Sequence, residues 1–117
     1  KLNNKIDSGN IVYKDYLKIK SYDLFDDIKK KQMIVTQKLF AKFINAYPNY
    51  PEIKQVGKAS YFPKLSEKDD KIDIKKTLIS QFNKIRSTNY YKYSNYFKIN
   101  KKKFLIKIIN ESTKNKN

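Results

Sequence analysis

The sequence predicts an α+β domain, and three patterns carry that expectation. Apolar and polar residues alternate over residues 14–22 and again over Tyr91, Lys92, Tyr93 and Ser94, the period of half-exposed strands. Between them, residues 24–46 space their apolar side chains at the helical period. Pro48, Pro51 and Pro63 then punctuate the chain where one element must give way to the next.

Taken in order, residues 1–13 are polar, carry a Ser8-Gly9-Asn10 turn signal and read as a flexible arm. Lys14 to Tyr22 reads as a first strand that turns Leu17 and Ile19 toward the core. Asp23 offers a helix cap, and Asp26 and Asp27 place negative charge in the first turn, where the helix dipole favours it. The helix runs from Leu24 to Ala46 with Phe25, Ile28, Val35, Leu39 and Phe43 as its buried stripe, widened by Met33, Phe40 and Tyr47. It ends before Pro48 because the residue preceding a proline is pushed out of the α region. Glu52 to Phe62 reads as an irregular strand bent at Gly57, and Ser66 to Asp70 as a charged loop. A long hairpin follows over residues 72–99. Its arms are Ile72 to Ser80 and Tyr90 to Ile99, and its crossover carries Asn83, Lys84, Arg86, Ser87, Thr88 and Asn89. In KKKFLIKIIN, Phe104, Leu105, Ile108 and Ile109 fall at helical spacing and predict a short second helix. Residues 111–117 form a polar tail, which leaves a single domain over 14–110.

Within 117 residues the chain carries 27 basic side chains against 11 acidic ones, a formal charge of +16. Charge that far from neutral opposes compaction by self-repulsion and points to a polyanionic partner, nucleic acid first and an anionic membrane second. Arg86 is the sole arginine, and the abundance of Lys, Asn, Ile, Tyr and Phe suits an AT-biased genome. Cysteine and histidine are absent, which excludes disulfides, zinc sites of the usual ligand types, thiol nucleophiles and imidazole bases. No apolar run reaches the length of a membrane span. The acidic pairs Asp26/Asp27 and Asp69/Asp70 are explained by a helix start and a solvated loop. Gly9 and Gly57 are the only glycines and build no phosphate loop. The residues therefore predict a binding protein that is not an enzyme, with no cofactor, no metal and no small-molecule substrate.

Lysine supplies phosphate contacts and tyrosine offers a face for stacking on unpaired bases. The candidate RNA-binding residues are Lys18, Lys20, Lys58, Lys64, Lys84, Arg86, Lys92 and Lys98. Asn83, Tyr90, Tyr91 and Tyr93 are candidate RNA or protein contacts on the hairpin.

Three strings resemble the family of small-subunit ribosomal protein ten: KIKSYD at Lys18 to Asp23, QVGKASYFPK at Gln55 to Lys64, and TLISQFNKIRSTNYYKY at Thr77 to Tyr93. Gln81 and Phe82 depart from the proline and histidine usual there. The resemblance implies a ferredoxin-like sheet with two helices and a long protruding hairpin, although no final edge strand is visible after the second helix. It further implies a structural constituent of the small ribosomal subunit head, bound to ribosomal RNA and to neighbouring ribosomal proteins three and fourteen. With the AT bias it implies a divergent mitochondrial member, in the matrix on the mitoribosome. Two other readings stand beside it. One is a lysine-rich accessory subunit of an organellar membrane complex, using KKKFLIKIIN as its amphipathic anchor. The other is a free single-strand RNA-binding protein.

Overall fold

A computed structural model describes residues 9–111. Its longest element is helix α1, Phe25–Ala46, with Asp26 and Asp27 in the first turn. Leu24, not Asp23, occupies the N-cap: the Asp27 carboxylate, three residues on, reaches back to accept the Leu24 N–H at 3.0 Å. The Asp23 carboxylate is buried and accepts the Lys20 N–H at 2.7 Å. Phe25, Ile28, Val35, Leu39 and Phe43 are half-buried, as their spacing predicts. Met33, Phe40 and Tyr47 do not widen that face and are 53%, 63% and 66% exposed. Met33 lies five residues beyond Ile28, about 140° round a helix of 3.6 residues per turn.

The expected domain over 14–110 comprises two compact units. The first takes in the residues up to Ile19 and Lys29–Phe62. Here Ile11 and Ile53 form an isolated antiparallel bridge, each N–H donating to the other's carbonyl at 2.8 Å. Asn10 Nδ2 donates to Glu52 at 2.8 Å and Gln55 Nε2 to the Gly9 carbonyl at 2.7 Å. Past the end of α1, the rings of Phe43 and Tyr50 meet at 4.9 Å, with Tyr47 about equally distant from both. The strand expected at Lys14 to Tyr22 does not form, because alternation alone makes no ladder without a neighbouring strand. The irregular strand expected at Glu52 to Phe62 reduces to the single bridge at Ile53. Residues 1–8 of the expected arm and 112–117 of the expected tail lie outside the described residues.

The second unit, Lys20–Ile28 with the chain from Pro63 onward, holds every fully buried described residue: Asp23, Ile72, Ile85, Asn95 and Tyr96. A 3-10 turn, Glu67–Asp70, is closed by a capping box in which Asp69 accepts the Ser66 N–H at 2.6 Å and the Ser66 hydroxyl at 2.9 Å. Lys71 then bridges Tyr96 in parallel, and the Ile72 N–H donates to the Tyr96 carbonyl at 2.7 Å.

The long hairpin expected over residues 72–99 is replaced by a helix, a turn and one strand. Helix α2, Leu78–Ser87, starts at Thr77, whose hydroxyl accepts the Ser80 N–H at 3.4 Å. Leu78, Gln81, Phe82 and Ile85 follow the helical spacing i, i+3, i+4, i+7, and of these Ile85 is buried while Gln81 and Phe82 are half-buried. The alternation that suggested the hairpin covers only Tyr91 to Ser94, downstream of α2, and is too short to exclude this longer period. The last five residues of the predicted second arm do form a strand, β1, Asn95–Ile99. Its partner is β2, Lys102–Ile106, where a helix was expected. β2 pairs antiparallel from Asn95↔Ile106 to Ile99↔Lys102, and the rings of Phe97 and Phe104 stack at 5.3 Å. Asn100 and Lys101 make the two-residue turn with φ of 47° and 65°, left-handed values that match the twist of a tight hairpin and preclude a helix through this point. The class is therefore α+β. The sheet among the described residues has two strands, and the larger ferredoxin-like sheet is not among them.

Candidate nucleic-acid interface

The sequence-selected residues divide into those the second unit uses for its own cohesion and those it leaves facing solvent. Arg86 belongs to the first group. Half-buried on α2, it donates from Nη1 to the carbonyls of Lys20, at 2.9 Å, and Asp23, at 3.2 Å, and from Nε to Asn83 Oδ1 at 2.8 Å. The planar guanidinium fork suits this work, since it satisfies several carbonyl acceptors with one rigid group. Asn83, expected to contact RNA or protein, is thereby tied to Arg86.

Tyr90 is also internal. Its ring packs edge-on to Phe25 at 6.2 Å, its hydroxyl donates to the Asp26 carboxylate, and Lys107 Nζ lies 4.3 Å from its ring centre. The bonds to Asp26 and then Tyr91, with some burial, hold the Tyr90 phenol proton well above the usual range. The Tyr91 ring lies tilted against Tyr90 at 4.4 Å and its hydroxyl donates to the same Asp26 carboxylate at 3.2 Å, though the ring remains exposed.

Lys20 is exposed, with its ammonium 5.3 Å from the Tyr22 ring centre, and its interaction with that side chain raises its pKa. Lys98 is exposed on β1. In the first unit, Lys18 accepts the Lys31 ammonium on its carbonyl at 3.1 Å, and Lys58 follows Gly57 in an exposed extended segment. Lys20 and Lys98 do not line the concavity described next.

The remaining residues do converge. Lys64, Lys84, Lys92 and Tyr93 line one open concavity of about 870 Å³ in the second unit, together with Lys103 and Leu105. Tyr93 is 59% exposed there. Glu67 on the same wall pairs with Lys103 at 2.5 Å, which holds the carboxyl below its usual range and the ammonium above. Asp69 is likewise held low by its hydrogen bonds from Ser66. Lysines around an exposed aromatic ring are what an unpaired nucleotide requires, with charge for the phosphate and a π-face for the base. Lys103 is not evident as a site residue in the sequence, where its segment reads as a helix. Its cross-strand neighbour Lys98 and the ion pair with Glu67 follow only from the β1–β2 pairing.

Among the described residues no helix is long and apolar enough to cross a membrane, and no three His, Cys, Asp or Glu side chains are placed to hold a metal ion. No protein-family model and no solved structure matches the chain. The chain is 31% identical over 87 residues, 74% of its length, to methionyl-tRNA formyltransferase of Thermosipho melanesiensis, and spans 28% of that protein. That likeness overturns the resemblance to ribosomal protein ten, which rested on short strings and on a hairpin whose place is taken by α2, a turn and β1. The expectations drawn from it fall as well: a ribosomal structural constituent, ribosomal RNA, and proteins three and fourteen as partners. The readings as a membrane-complex subunit or a free single-strand RNA-binding protein gain no support. The expectation of a non-enzyme without a small-molecule substrate is corrected too, because the relative is named for a group transfer to a tRNA.

Proposed function

We propose that this chain forms part of a formyltransferase acting on methionyl-tRNA. The observation that carries the reading is the 31% identity extending over 87 residues of the chain. The charge of +16 supports it, since a tRNA is a dense polyanion and lysines recover free energy by releasing its counterions.

Formyl transfer is acyl transfer. The amine nitrogen attacks the formyl carbonyl, the tetrahedral oxyanion collapses with loss of the donor's leaving group, and the attacking nitrogen gives up a proton to a base. The chain carries no histidine for that last role. Three carboxylates of the second unit are engaged elsewhere: Asp23 by the Lys20 N–H, Asp26 by Tyr90 and Tyr91, and Asp69 by Ser66. We therefore assign this chain to holding the nucleic acid, through Lys64, Lys84, Lys92 and Tyr93.

The test is to incubate the purified protein that carries this chain with methionyl-tRNA and a formyl donor, and to detect the formylated product by mass spectrometry. Transfer is expected. Lys64→Gln with Lys92→Gln should raise the KM for methionyl-tRNA while leaving kcat nearly unchanged, the signature of lost uniform binding. Absence of transfer to methionyl-tRNA would overturn the reading.

A further inference from the structure

A second concavity, of about 700 Å³, opens beside the amino end of α2 and carries Lys71, Lys75, Lys76 and Lys84 against one carboxylate, Asp73. Resting on the formyltransferase reading, we infer that it seats the phosphate backbone of the tRNA, beside the concavity around Tyr93, with which it shares Lys84.

The loop that presents these lysines is fixed from both sides. Ahead of it, Ile72 is buried and bonded to Tyr96. Behind it, Gln81 clamps Asp73 twice, accepting its N–H at 2.8 Å on Oε1 and donating to its carbonyl at 2.9 Å from Nε2. Asp73 in turn organises the turn between. Its Oδ1 accepts the Lys75 N–H at 3.0 Å and its carbonyl accepts the Lys76 N–H at 3.1 Å. One oxygen of the only acidic side chain in the lining is thus spent on the backbone. Lys84 reaches back along α2 to donate to the Lys71 carbonyl at 3.2 Å, which brings a fourth ammonium to the same rim.

The chemistry of the lining selects among polyanions. Lysines act on phosphate as point charges without reading sequence. No aromatic side chain lines this concavity, so it offers nothing on which a base could stack. The lining also presents no large apolar side chain, which a membrane-inserting surface would need. RNA phosphate is what remains, with the bases turned away.

The decisive experiment measures binding of fluorescently labelled tRNA to the protein by anisotropy across a salt series. The triple variant Lys71→Gln, Lys75→Gln, Lys76→Gln is compared with Lys30→Gln, Lys38→Gln, Lys54→Gln, which removes equal charge from exposed positions of the first unit. Lys84 is left intact because its bond to Lys71 supports the loop, and circular dichroism verifies that both triples fold. The first triple should weaken binding on the order of tenfold at 0.1 M salt and flatten the log-log salt slope by about 3, one counterion per lost contact. The control triple should change affinity less than about twofold. Weakened tRNA binding by the first triple alone supports the inference whether or not the protein formylates. Equal losses from the two triples overturn it, since they mean undirected charge attraction. An unaltered affinity in a protein that does formylate methionyl-tRNA overturns it and leaves the formyltransferase reading standing. Binding to phosphatidylserine vesicles that depends on the three lysines, with no response to tRNA, also overturns it.

Discussion

The two compact units of this chain are held together by different means. The second buries Ile72, Ile85 and Tyr96, and seals the polar groups of Asp23 and Asn95 among them. Asn95 Nδ2 donates to the Asp70 carbonyl at 3.2 Å, so its amide is buried with a partner. In the first unit no described residue is fully buried, and the apolar stripe of α1 is half-exposed along its length. Since burial of apolar area is the dominant favourable term in folding, resistance to unfolding should concentrate in the second unit.

The sharpest way to break that comparison is Ile85→Ala. Removing a fully buried isoleucine should cost about 2–5 kcal/mol through lost transfer energy and a residual cavity, read from the denaturant midpoint. A loss under about 1 kcal/mol would mean that the second unit has no core worth the name. Next in size is Arg86→Ala, which removes the guanidinium donor from the Asp23 carbonyl and leaves the Lys20 carbonyl with the Asp23 N–H at 3.2 Å; it should cost about 1–2 kcal/mol, less than a deeply buried charged hydrogen bond because the site is half-open. Arg86→Lys should recover only part of this, since an ammonium cannot reproduce the fork.

Leu39→Ala in the first unit removes a half-buried side chain and should cost about 1 kcal/mol. If it matched Ile85→Ala, the contrast between the units would fail. A smaller effect concerns acid. Hydrogen bonds from Ser66 hold the Asp69 carboxyl below its ordinary value, so they contribute stability above the unfolded carboxylate's pKa of about 4 and lose it as pH falls through the lower folded value. Between pH 6 and pH 3, Tm should therefore fall less in Asp69→Asn than in the native chain. The same slope in both would remove the capping box from the account. Smallest of all is Lys30→Ala on the solvent face of α1, expected to change stability by less than about 0.5 kcal/mol.

Helix α1 was legible in the sequence because its signals agree at every level. The period fixed its stripe, Asp26 and Asp27 marked its start, and Pro48 its end. Residues 72–106 were misread because each segment there is short enough to fit two periods. Ile72 to Ser80 reads as one arm of a hairpin, yet Leu78, Gln81, Phe82 and Ile85 fall on one helical face, and the Thr77 cap with its Ser80 partner was the signal that decides. Phe104, Leu105, Ile108 and Ile109 look helical until Asn100 and Lys101 turn the chain back on itself. The candidate site suffered accordingly. A strand through Ile72 to Ser80 would put Lys75 and Lys76 on opposite faces, whereas the turn organised by Asp73 places both at one concavity. Arg86 and Tyr90, chosen as outward contacts, point inward because α2 and the turn after it carry them toward Lys20 and Asp26.

The tip at Asn100 and Lys101 constrains the chain in one further way. With only two residues in the loop, nothing there can absorb a change of length. One inserted residue would set Phe97 against Lys103 and Phe104 against Tyr96, separating the stacked rings and turning the far strand's side chains to the opposite face. Substitution at this tip is a matter of conformational preference, and Lys101→Gly would relieve the left-handed backbone at little cost. Insertion is a matter of geometry. Relatives of this chain should therefore vary in residue at these two positions long before they vary in spacing.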